Sequence, residues 1–171
     1  MSLDKIALMA LLAISHVFAF AQSSDEKITL EVSTMLDNWH ADAAKANYEN
    51  YFNALADDAV FIGTDPTEHW NKSEFKKFCK PYFDKHKTWH FTSLERHIYM
   101  NESKTLIWFD ELLDTQMKLC RGSGVSMKVN NEWKILQYVL SIAVPNSLTK
   151  QLTVLKTEFD DSLKIKLLKI L

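Results

Sequence analysis

Basic clusters, glycine-rich phosphate loops and two-histidine zinc helices are all missing from this chain. Its 20 Lys+Arg and 22 Asp+Glu leave a formal charge of −2, and the basic residues are spread along the sequence. That excludes the electrostatic footprint of a nucleic-acid binder. Gly122-Ser123-Gly124 lies inside a strand pattern, where glycine permits bending and does not cradle phosphate. Glu68-His69 does not extend to the helical zinc motif, and His86 and His90 straddle a loop-to-strand boundary where a four-residue spacing loses its meaning. No metal ligand set is read, and no cofactor. A serine-nucleophile elbow, an internal repeat and a low-complexity tract are absent as well.

The longest apolar run near the start, Ile6 to Phe20, is shorter than the ~20 residues a membrane span needs. Lys5 before it and Ala19-Phe20-Ala21 after it fit a secretory signal over residues 1–21, removed before Gln22. The expectation is an exported protein, periplasmic or secreted. No cysteine follows the cleavage point, so nothing there supports a lipid anchor. Only two cysteines exist, Cys79 and Cys120. In an oxidising compartment they could bridge, stabilising by roughly 4 kcal/mol. Cys79 also shares a helical face with Phe75, Phe78 and Tyr82, where it reads as a small buried hydrophobe. Both readings stay open.

What is present is enough apolar material for one core: 47% of 171 residues are hydrophobic. From Asp25 to about Leu55, Ile28, Val32, Met35, Leu36, Trp39, Ala43 and Ala46 recur at helical spacing without Gly or Pro, with Ser23 or Ser24 as the N-cap. Ala59–Ile62 is a short strand ended by Gly63. Residues 64–70 are a loop, and Ser73 caps a second helix that Pro81 limits. Strands follow at His90–Tyr99 and Thr105–Leu113. The last two, from Arg121 to Val129 and from Glu132 to Ser141, flank Asn130-Asn131, a hairpin turn tolerant of positive φ. Helices followed by four long antiparallel strands make an α+β layer, with helices on one face of a curved sheet. Beyond Pro145, Leu148, Leu152, Leu155, Phe159, Leu163 and Leu167 form an amphipathic helical tail over residues 148–171. It packs on its own domain or on a partner copy. Membrane-surface contact through Lys164, Lys166 and Lys169 is the less favoured reading.

Five pieces taken in order carry a resemblance: Val60-Phe61-Ile62-Gly63-Thr64-Asp65, Trp108-Phe109-Asp110-Glu111, Arg121-Gly122-Ser123-Gly124-Val125, Trp133-Lys134-Ile135 and Ser141. Together they resemble a SnoaL-like domain of the nuclear transport factor 2-like superfamily, over residues 25–147. The resemblance implies a cone-shaped α+β fold, N-terminal helices wrapped by a strongly curved antiparallel sheet, with a cavity in the cone. It implies either enzymes acting on apolar carbon skeletons or non-enzymatic binding and oligomerisation domains, and a homodimer formed through the sheet. Many relatives carry a histidine two residues before the closing serine; here that position is Val139.

Strand parity sorts the candidates for chemistry. Asp110 shares a face with Leu106, Trp108 and Leu112, and Glu111 shares the other with Ile107, Phe109 and Leu113, so both cannot point inward. Asp110 is the expected catalytic carboxylate, with Arg121 as its inward partner or as the clamp of an anionic ligand. Trp39, Trp70 and Trp108 are expected to wall the ligand site, and His40 to face the cone. The function so read is binding of a small, partly apolar molecule, anionic where Arg121 clamps it, with carboxylate-based proton transfer. The alternative is an interaction module whose cone is filled by side chains.

Overall fold

The computed structural model describes the backbone of residues 3–170 and the side chains of residues 24–170. The signal expected at 1–21 therefore has its side chains outside the described residues. The elements are α1 (Leu3–Ala44), α2 (Tyr48–Asn53), β1 (Leu55–Ile62), β2 (His69–Asn71), α3 (Lys72–Asp84), β3 (Phe91–Met100), β4 (Leu106–Thr115), β5 (Lys118–Val129), β6 (Glu132–Ile142), a 3₁₀ turn (Asn146–Leu148) and α4 (Thr149–Leu168). One sheet holds every strand, in the order β2-β1-β6-β5-β4-β3. Helices α1, α2 and α3 pack on its inner face, the α+β arrangement expected.

Both ends of the first helix and both ends of α3 differ from the sequence expectation. The first helix is already under way at Ser24, so no serine caps it there, and it ends at Ala44. Ala46 takes φ 53, a left-handed conformation that breaks the run without glycine or proline. The break redirects the chain so that Tyr51 and Phe52 of α2 are each only 1% exposed. Asn71, not Ser73, caps α3: its side chain accepts from Glu74 N at 3.0 Å, and Glu74 Oε2 accepts from Asn71 N at 3.0 Å. Pro81 sits inside α3, which nonetheless continues to Asp84.

At the end of the expected loop His69 and Trp70 join Asn71 in β2, which pairs antiparallel with β1. The long hairpin is as read, with Asn130 and Asn131 at φ 51 and 67. β1 runs parallel to β6, with Phe61 opposite Tyr138, in a sheet otherwise antiparallel. The core gathers Val32, Leu36 and Trp39 from α1, Phe75, Cys79 and Phe83 from α3, and Ile107, Phe109, Ile135 and Tyr138 from the sheet. Cys79 and Cys120 are both buried and free; burial pushes the Cys79 thiol far up, as suits a small core hydrophobe. No residue of α4 is buried, and Leu155 is 81% exposed. Among the described residues no helix is long and apolar enough to cross a membrane.

Candidate functional site

The face that points inward on β4 carries Ile107, Phe109, Glu111 and Leu113, all buried. Asp110 and Trp108 therefore lie on the outer face, contrary to the expectation that Asp110 looks into the cone. Directly across from Phe109 and Glu111 on β5 stand Gly124 and Gly122. Neither glycine has a positive φ; their use is space. A Cβ on Gly122 would meet the Tyr138 hydroxyl and stand 2.8 Å from Cζ, and one on Gly124 would lie 2.6 Å from Phe109 Cζ. The missing side chains let the rings of Phe109 and Tyr138 lie against the inner face.

Glu111 is fully buried and fully partnered. Its Oε1 accepts from Tyr138 Oη at 3.1 Å and lies 3.0 Å from His40 Nε2; its Oε2 accepts from Arg96 Nε at 2.8 Å and Nη2 at 2.6 Å. Arg96 also donates to the Ser33 carbonyl at 3.0 Å and to Asp37 Oδ1 at 2.8 Å, tying the sheet to α1. Burial pushes the Glu111 carboxyl upward, but His40 and Arg96 outweigh it and hold the group below the usual carboxylate range. Burial, and then the Glu111 charge, push the Tyr138 phenol well up, so it stays a donor. A carboxylate can only accept, so the hydrogen shared with His40 sits on Nε2. In the neutral ring that leaves Nδ1 as a bare acceptor, and Nδ1 is buried without a partner, as is Trp39 Nε1.

The expected dyad forms, but in the wrong place. Arg121 Nη1 donates to Asp110 Oδ1 at 3.3 Å on the outer face, where His97 Nδ1 is 3.2 Å from the same oxygen. The side chains of Asp110 and Arg121 are 31% and 51% exposed. Trp108 stacks on Tyr99 there, both exposed. Of the other expected residues, Trp39 and His40 are buried in the core, with ring centroids 5.2 Å apart.

Trp70 lines an aromatic pocket of about 240 Å³ between α3 and the sheet, with Phe61, Phe75, Phe78, Tyr82, Trp89 and Phe91. Its rings stack in series: Phe61 on Phe75 at 4.0 Å, and Trp70 on Phe78 at 4.5 Å. Thr64, Glu68 and Gln116 supply polar groups. Phe91 links the pocket to the buried cluster, its ring centroid 5.5 Å from that of His40. A larger groove of about 590 Å³ runs between α1, α2 and the β5–β6 turn. Its charges are partly paired off, Lys128 with Glu31 at 3.3 Å and Lys134 with Glu132 at 2.8 Å. Among the described residues no group of three or more His, Cys, Asp or Glu could hold a metal ion.

Sequence reasoning passed over Glu111, Arg96 and Tyr138. A signal existed: Gly122 and Gly124 mark the face of β5 that must make room for large neighbours, and that face is opposite Glu111 and Phe109.

No curated protein matches the chain. Solved structures do. A proposed scytalone dehydratase from Novosphingobium aromaticivorans superposes with a TM-score of 0.62 at 10% identity, covering 72% of this chain and 89% of that one. An NTF2-like protein of unknown function from Pseudomonas putida gives 0.58 at 11%, covering 68% and 87%. A proposed calcium/calmodulin-dependent kinase II association domain from Exiguobacterium sibiricum gives 0.52 at 18%, covering 69% and 95%. At such identities the likeness shows a shared fold and no more. Residues 32–145 match the SnoaL-like domain family, and on that match, with the cone around Glu111 as its structural counterpart, the chain belongs to the SnoaL-like domain family.

Proposed function

We propose that this protein binds a small, largely apolar molecule in the aromatic pocket. The observation that carries the reading is an unfilled hollow of about 240 Å³ walled by stacked rings, in a cone otherwise filled at the level of Glu111. A space of that size suits a ligand of one or two rings. An anionic ligand fits less well, because the inward guanidinium, Arg96, is already committed to Glu111 and Asp37. Carboxylate-based proton transfer is disfavoured too. Asp110 faces outward, and Glu111, pushed up by burial, is nonetheless held ionised by His40 and Arg96, which weakens it as a base. Native mass spectrometry of protein taken from its own compartment tests the reading. A retained small molecule is expected, and Met117→Trp, which fills the pocket, removes it. Wild-type protein that carries no ligand and binds no toluene refutes the reading. The proposal includes export: N-terminal sequencing of the mature protein should begin at Gln22, and a mature chain still carrying residues 1–21 would overturn it.

A second reading, assembly, rests on α4. Leu152, Leu155 and Phe159 lie on one face of this helix and none is buried, and a cleft of about 540 Å³ separates the helix from Pro66, Ile142 and Val144. A partner copy, as in a homodimer, would cover such a face. Light scattering of a chain ending at Asn146 decides it: a fall in assembly mass is expected, and an unchanged mass refutes it.

A further inference from the structure

We infer that His40 is the polar anchor of the aromatic pocket, its Nδ1 accepting a hydrogen bond from an apolar ring that carries one O–H or N–H donor. The inference rests on the pocket reading above. Within the buried cluster both Glu111 oxygens, all three Arg96 nitrogens and the Tyr138 hydroxyl have partners. Nδ1 of His40 does not, although the residue is only 4% exposed. Buried acceptors are rarely left so, since the lost hydration is not replaced. The Glu111 contact at 3.0 Å fixes the ring through Nε2, which keeps the Nδ1 lone pair available as an acceptor in the neutral ring.

The anchor requires a ligand to displace the Phe91 ring, the pocket wall nearest to His40 for which a contact is seen. Phe91 is half-buried, lines the pocket and lies 5.5 Å from the imidazole. Trp39 Nε1, a donor, is also buried without a partner, as is Ser126 Oγ, and the Trp39 ring lies 5.2 Å from that of His40. A hydroxyl both donates and accepts, so one such group has the chemistry to serve both.

Phenol and toluene test this on the intact chain, because they have nearly the same shape and differ in the hydroxyl. Phenol is the better hydrated of the two, and Thr64, Glu68 and Gln116 also line the pocket, so a phenol preference counts for the anchor only where it depends on His40. Both probes are expected to bind, phenol about tenfold tighter. In protein labelled with ¹⁵N at histidine, the His40 Nδ1 resonance is expected to move with phenol and stay with toluene. In His40→Leu the phenol preference disappears while toluene still binds. Should that variant fail to fold, the wild-type resonance decides alone. Toluene binding without a phenol preference or an Nδ1 shift overturns the anchor, for instance because water holds Nδ1, and leaves the pocket reading standing. Failure of both probes to bind overturns the pocket reading and the anchor together.

Discussion

Arg96 and Glu111 stand directly opposite each other on β3 and β4, with Nη2 2.6 Å from Oε2 and both side chains turned into the protein. A buried carboxylate stripped of its cation has no solvent to replace it. Arg96→Met should destabilise the fold by about 3–5 kcal/mol, read by urea denaturation at neutral pH. A loss below about 1 kcal/mol would mean that His40 and Tyr138 suffice.

The same carboxylate sets an acid limit. Its pKa is lowered in the folded state, so the stability it contributes is full above the ordinary glutamate value, about 4.3. That contribution is lost as pH falls through the lower folded value. The stability gap between wild type and Glu111→Gln should therefore narrow as the pH falls below the ordinary glutamate value. Denaturation midpoints at a series of pH values check this; a gap that widens in acid contradicts it.

Gly122→Ala places a methyl group against the Tyr138 hydroxyl. The ring must shift, and its hydrogen bond to Glu111 with it. A destabilisation of about 1–3 kcal/mol is expected, together with a changed near-ultraviolet circular dichroism signal from the displaced aromatics. A neutral substitution would show that the strands part easily here.

Asp110→Asn weakens the outer-face contacts to Arg121 and His97, where the Asp110, His97 and Arg121 side chains are 31%, 47% and 51% exposed. Its cost should stay within about 1 kcal/mol, with ligand occupancy of the aromatic pocket unchanged. Loss of occupancy would return Asp110 to the site.

Much of the fold was legible because its signals are local. Asn130-Asn131 announces the hairpin, and the alternation on β4 puts Asp110 and Glu111 on opposite faces. Which face turns inward was not legible from that strand alone, since Leu106, Trp108 and Leu112 offer as much apolar surface as Ile107, Phe109 and Leu113. The choice is made by neighbours distant in sequence: Gly122 and Gly124 opposite, Arg96 alongside, and His40 from α1. Helix α2 was hidden for another reason. Its break rests on Ala46 at positive φ, a conformation that alanine does not advertise.

The side-by-side alignment of β1 with β6 makes the final strand the seam of the whole sheet, since Leu55 waits for Ile135 and Phe61 for Tyr138. Until residue 142 has left the ribosome, β1 has β2 and α3 beside it but lacks its neighbour on the β6 side, and pairing across so long a separation is slow. Without β6 the sheet falls into two separate ribbons, β2-β1 on one side and β5-β4-β3 on the other, so the last strand made is the one that joins them.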